Sequence, residues 1–189
     1  KIKMICKKNK IKLIEDAAEV IGLKYKKKMC GSFGDISTFS FYANKHITSG
    51  EGGMILTDDS KIYQKCASLK NLCFGTKDKR FLNSDVGWNY RYTNIQASLG
   101  LSQLSRLDNI IKKKIFVGQT YYKYLKKNKN IFFPKPRKNN LQNIYWVNGI
   151  LILKSAKKNA KQLGEELLRY NIDTRPFFWP MNKQKILKK

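Results

Sequence analysis

The chain has 189 residues, 42% of them hydrophobic, which is enough to bury a core in one large or two small domains. No apolar run is long enough to cross a bilayer, and the opening KIKMICKKNK lacks the apolar stretch of a secretion signal, so a soluble, cytoplasmic protein with no membrane partner is expected. The net charge of +26 raises nucleic acid as a partner, but 33 scattered lysines against six arginines, amid much Asn and Ile, read as solvated side chains rather than phosphate-reading ones.

In chain order, the apolar run Ile11–Ile14 ends in the acids Glu15 and Asp16 and the small residues Ala17 and Ala18. That pattern predicts a buried parallel strand presenting an acid at its carboxyl end, where α/β sheets place their sites. Strands are expected at 36–41 and 53–57, separated by the turn TSGEGG at 48–53. Asp58 or Asp59 can cap a helix carrying Ile62, Cys66 and Leu69. Thr93 and Gln96 form a capping-box pattern, and Ala97, Leu101, Leu104, Leu107 and Ile111 continue it as one apolar stripe. After a Lys-rich helix with Tyr121, Tyr122 and Tyr124 come a break at Pro134–Pro136, a β-rich stretch at 144–153 and a helix at about 156–170. The change of character places residues 1–111 in a larger domain and 112–189 in a smaller α+β one. The tail NKQKILKK reads as cut within that domain.

Lys45 stands apart from the other lysines because its setting, FSFYANKHITSGEGG, is aromatic and small rather than charged. Partial desolvation of a lysine favours the neutral, nucleophilic amine that Schiff-base chemistry needs. Ser40, five residues earlier, can offer a hydroxyl to a phosphate. Asp16 and Glu19, spaced i and i+3, share one helical face, and a carboxylate suits the ring nitrogen of a pyridoxal cofactor. The same acids would also serve a helix start. His46 reads as a turn residue rather than a base. Cys6, Cys30, Cys66 and Cys73 form no Cys-x-x-Cys pair, and with a single His no metal site is expected.

The segments IEDAAEVIG, GSFGDISTFSFYANKHITSGEGGMILTDD and GWNYRYTNIQASLGLSQLSRLD closely resemble the DegT/DnrJ/EryC1/StrS family of nucleotide-sugar aminotransferases. The resemblance runs in register from Leu13 to Asp108 and more loosely to TRPFFWP at 174–180. It implies an aspartate-aminotransferase-like α/β fold, with a mostly parallel sheet and a small C-terminal α+β domain, both incomplete here. It also implies pyridoxal 5'-phosphate as cofactor, a nucleotide-linked keto sugar as acceptor and an amino acid, usually glutamate, as donor. By the same resemblance Lys45 is the covalent anchor and proton shuttle, Asp16 pairs with the pyridine nitrogen, and Glu19 bonds the ring hydroxyl. Ser40 holds the phosphate, and Asn89 reaches the cofactor phosphate of a neighbouring subunit, which implies a homodimer. Arg175 falls near the mouth of the site in relatives. Relatives are about twice as long, so further phosphate contacts and substrate-side aromatics are expected outside this chain, and an inactive fragment or regulatory relative is the alternative. Dehydratases of the family replace the lysine by His; Lys45 is retained here, which favours transamination.

Overall fold

A computed structural model describes residues 1–138 and 141–187; Asn139, Asn140 and the last two residues of the 182–189 tail lie outside the described residues. The chain divides into two compact units, one of Lys1–Phe116 with Arg137–Trp146 and the other of Val117–Pro136 with the chain from Val147 on.

The first unit opens with helix α1 (Ile2–Lys8) and strand β1 (Ile14–Asp16). A small hairpin of β2 (Lys24–Tyr25) and β3 (Lys28–Met29) follows, then β4 (Ile36–Ser40) and β5 (Gly53–Leu56). β4 lies between β1 and β5, parallel to the first with Asp16 opposite Thr38, and antiparallel to the second with Ser40 opposite Gly53. The first strand sits later than its apolar run suggests, and it is not the buried strand expected: Ile14 is 67% exposed, because among the described residues only β4 flanks it. Residues before Ile14 are held by the Asp35 carboxylate, which accepts the Leu13 N–H at 2.7 Å, so the ladder begins only at Ile14. Helix α2 (Ser60–Leu69) starts at Asp59, whose side chain accepts the N–H groups of Lys61 and Ile62 and whose pKa is lowered chiefly by the Ile62 bond.

The Thr93–Gln96 capping box opens helix α3 (Asn94–Leu104). The expected single stripe is broken, because α3 ends at Leu104 and α4 (Leu107–Leu125) begins anew. The carbonyl of Ser102 accepts the Ser105 hydroxyl and the Arg106 side chain, while the Arg106 N–H turns to Gln103. Side-chain donors have taken an acceptor the continuous helix needed. The core of this unit joins Ile21, Phe41 and Ile47, packed against Phe39, Tyr92, Leu107 and Ile110. Burial of each such side chain contributes about 1.5–3 kcal/mol, and two of the three, Phe41 and Ile47, flank Lys45.

In the second unit β6 (Ile131–Phe132) pairs antiparallel with β9 (Leu151–Ile152), and Tyr121 of α4 stacks on Phe133 with ring centroids 6.2 Å apart. Of the β-rich stretch expected at 144–153, only Leu151–Ile152 is strand. Residues 143–146 form a turn with Tyr145 at φ 48° and belong to the first unit, as does the pair β7 (Arg137–Lys138) and β8 (Leu141–Gln142). This grouping differs from a single boundary at 111/112. The last helix, α5 (Ala160–Leu168), is shorter than the expected 156–170. An Asn159–Gln162 capping box fixes its start, and Asn171, at φ 59°, turns the chain away after it.

Candidate functional site

Because β1 and β4 are parallel, their carboxyl ends lie on the same side, and both end in polar residues. Asp16 closes β1 and its Oδ1 accepts the Ala18 N–H at 3.1 Å, leaving an exposed carboxylate. Ser40 closes β4, and its Oγ accepts the Tyr42 N–H at 3.3 Å. The chain then turns through Tyr42–Lys45, closed by the Lys45 N–H bonded to the Tyr42 carbonyl at 3.0 Å.

The Lys45 loop is fixed from below and from the side. Thr48 Oγ1 and the Ser49 N–H both donate to the Phe41 carbonyl. From α3, Gln103 exchanges two hydrogen bonds with the Thr48 backbone, at 3.1 and 2.7 Å, and Gln96 donates to the Glu51 carbonyl. Gly52 closes the turn at φ +134°, where a β-carbon would also run into the Tyr92 ring. The glycines and hydroxyls of TSGEGG thus shape the loop, and Gln96 and Gln103 hold it against α3.

Lys45 itself has a side chain only 11% exposed, and its Nζ lies 3.9 Å from Glu19 Oε1. Glu19 and Lys45 therefore meet, and Asp16 and Ser40 stand at adjoining strand ends; Asp16 and Glu19 do not share a helical face as their spacing suggested, because the chain passes from strand into a turn after Asp16. Asn89 lies on an exposed segment, where it bridges Asn71 and accepts from Arg91 Nε at 2.9 Å. Arg175 pairs with Asp173 at 2.7 Å and is exposed.

Several residues that the sequence left without a role shape this region. Glu15 points away from Asp16 and accepts the N–H groups of Gly31, Phe33 and Gly34 at 2.6, 2.8 and 3.2 Å, fastening the segment that leads into β4. His46 is 4% exposed, and its Nε2 donates to the Ile144 carbonyl at 3.1 Å. Its pKa is lowered by burial, with Lys114 and Lys45 adding to the effect and the Ile144 bond opposing it. His46 is therefore a buried tether rather than a plain turn residue. Trp146 places its ring 4.0 Å from Lys45 Nζ and its Nε1 3.4 Å from Asn44 Oδ1. Asn44 could be suspected from its place beside Lys45; His46 and Trp146 bond across about a hundred residues, and no local pattern signals that.

Among the described residues no group of His, Cys, Asp and Glu gathers as a metal site. A cleft of about 370 Å³ lined by Lys3, Gly34, Asp35, Asp58 and Asp59 lies at the opposite end of β4 from Ser40, so it is separate from the Lys45 region.

The chain has the aspartate-aminotransferase-like fold of solved sugar-modifying enzymes. The aminotransferase PseC of Helicobacter pylori, involved in the biosynthesis of pseudoaminic acid, matches with a TM-score of 0.88 at 27% identity, covering 98% of this chain and 50% of that one. The Escherichia coli GDP-4-keto-6-deoxy-D-mannose-3-dehydratase with bound hydrated PLP matches with a TM-score of 0.78 at 26% identity, over 93% of this chain and 48% of that one. The chain belongs to the DegT/DnrJ/EryC1/StrS aminotransferase family, whose model matches residues 1–189. Among relatives, GDP-perosamine synthase of Escherichia coli O157:H7 is 37% identical over 185 residues, 94% of this chain and 47% of that protein. The chain spans about half the length of the curated relatives it matches.

Proposed function

We propose that the protein to which this chain belongs transfers an amino group, with glutamate as the usual donor, to a keto group on a nucleotide-linked sugar, using pyridoxal 5'-phosphate held at Lys45. The observation that carries the reading is the placement of Lys45. Its amine is largely withdrawn from water, beside a carboxylate, at the mouth of two parallel strands that end in Asp16 and Ser40. The family membership and the relatives' names support the substrate class.

The residues present fit that cofactor. Asp16 offers a carboxylate with lone pairs beyond the one that takes the Ala18 N–H, and Ser40 uses its oxygen as an acceptor while its O–H can still donate to a phosphate. When bound, the cofactor supplies an aldehyde for an amine and a conjugated ring that takes up an electron pair. Asp16 would hold a proton on the ring nitrogen, which keeps that ring electron-poor. Glu19 would accept a hydrogen bond from the ring hydroxyl and otherwise keeps the Lys45 ammonium nearby. Lys45 would anchor the group covalently and, with its amine free, carry a proton at Nζ between carbon atoms.

Asn89 would reach the cofactor phosphate of a second subunit, and the exposed apolar side chains around it support a homodimer. Phe81, Leu82, Val86, Trp88 and Tyr90 are all 48% exposed or more. No helix among the described residues is long and apolar enough to cross a membrane. The four free cysteines agree with a reducing compartment, and we place the protein in the cytoplasm.

The test is to assay the complete protein, loaded with pyridoxal 5'-phosphate, for glutamate-dependent amination of nucleotide-linked keto sugars by mass spectrometry. The aminated product should form with wild type and fall by at least about a thousandfold in Lys45→Ala. Undiminished product from Lys45→Ala would overturn the assignment.

A further inference from the structure

We propose that Trp146 is a positioning residue for Lys45, its indole face roofing Nζ and setting the direction in which the amine is presented. The proposal rests on the reading of Lys45 as the cofactor's anchor and extends it to a residue a hundred positions away.

The contact is close. A cation within roughly 6 Å of an aromatic centroid is drawn to the ring face, and Trp is the strongest such partner; here the distance is 4.0 Å. The ring is also built into place. Its Nε1 donates to Asn44 Oδ1 at 3.4 Å, one residue before the lysine that it covers. Its own carbonyl accepts from Lys114 Nζ at 3.2 Å, and the carbonyl of Ile144 accepts from His46 Nε2 at 3.1 Å. Thus the residues on either side of Lys45, together with α4, latch the segment that delivers the ring. Within that segment the Asn143 side chain accepts the Tyr145 N–H at 2.8 Å, and Tyr145 adopts a left-handed φ of 48° while 2% exposed. A bulky residue rarely holds that conformation unless its surroundings impose it.

A roof of this kind does two things. It removes water from one side of Nζ, and its electron-rich face gives the ammonium a second attraction, weaker than that of the Glu19 carboxylate. Without it, the four-carbon stem would sample many more directions.

The experiment uses the complete protein freed of cofactor. Lysine acylation by a small reagent is followed peptide by peptide, with an exposed lysine as internal reference. Labelling of Lys45 should rise about threefold or more in Trp146→Ala and Trp146→Leu, and stay near wild type in Trp146→Phe, which keeps a ring face. Melting temperatures of the variants guard against general unfolding; if Trp146→Ala does not fold, the Leu and Phe pair decides. Equal labelling of wild type and Trp146→Leu, or of the Leu and Phe variants, would overturn the proposal. Borohydride trapping of the cofactor on wild-type Lys45 is a separate readout. Its failure would count against the anchor assignment, whereas trapping with unchanged labelling would count against Trp146 alone.

Discussion

At the scale of the residue, the chemistry of this chain is decided by what surrounds each polar group rather than by its type. Thirty-three lysines share one formula, and Lys45 differs by having an 11% exposed side chain beside Glu19 and under an indole. The desolvation was legible from its aromatic and small neighbours; the indole was not, because proximity across a hundred residues leaves no local pattern. His46 shows the same limit more sharply, and it makes a testable link to pH. The buried ring has its pKa below the ordinary 6.5, so the folded protein keeps it neutral while the unfolded chain protonates it. In the window just below 6.5 the unfolded state binds more protons, and stability contributed above that value is lost as the pH falls. The melting temperature of wild type should therefore drop more between about pH 7.5 and about pH 5.5 than that of His46→Gln, measured by scanning calorimetry. Parallel slopes in the two proteins would contradict the role given to the ring.

Elements whose signals are local could be read in advance. The capping box at Thr93–Gln96 and the Asp59 cap each need only four consecutive residues, and both stand where the pattern put them. Strands β4 and β5 also fall within the predicted runs. The shifted β1, the break between α3 and α4, and the turn at 143–146 each depend on a side chain competing for backbone groups: Asp35, Ser105 with Arg106, and Asn143. Such competition is invisible to hydrophobic periodicity. Beyond α2, the segment around Asn89 carries apolar side chains outward, with Trp88 and Tyr90 stacked at 6.1 Å. If this segment forms the homodimer contact, Val86→Asp should shift the complete protein from dimer to monomer in sedimentation velocity. A variant that sediments as wild type would place the contact elsewhere.

At the scale of the molecule, the charge of +26 suggested one kind of partner and the fold belongs to another kind of protein. The family was legible because three long segments in register carry it; spacing had already picked out Asp16, Glu19 and Ser40 as candidates, while the specific roles expected of them, and Asn89 altogether, came with that resemblance. The structure joins Glu19 to Lys45 directly and sets Asp16 and Ser40 at neighbouring strand ends. Asn89, by contrast, makes its contacts with Asn71 and Arg91, and the part proposed for it requires a second subunit. Everything proposed for the site depends on which amine holds the cofactor. Loading the complete protein with pyridoxal 5'-phosphate, reducing it with borohydride and mapping the product by peptide mass spectrometry tests this directly. The account predicts one stable adduct, on Lys45, that disappears in Lys45→Ala; an adduct on another lysine, or one that persists in the variant, would contradict it.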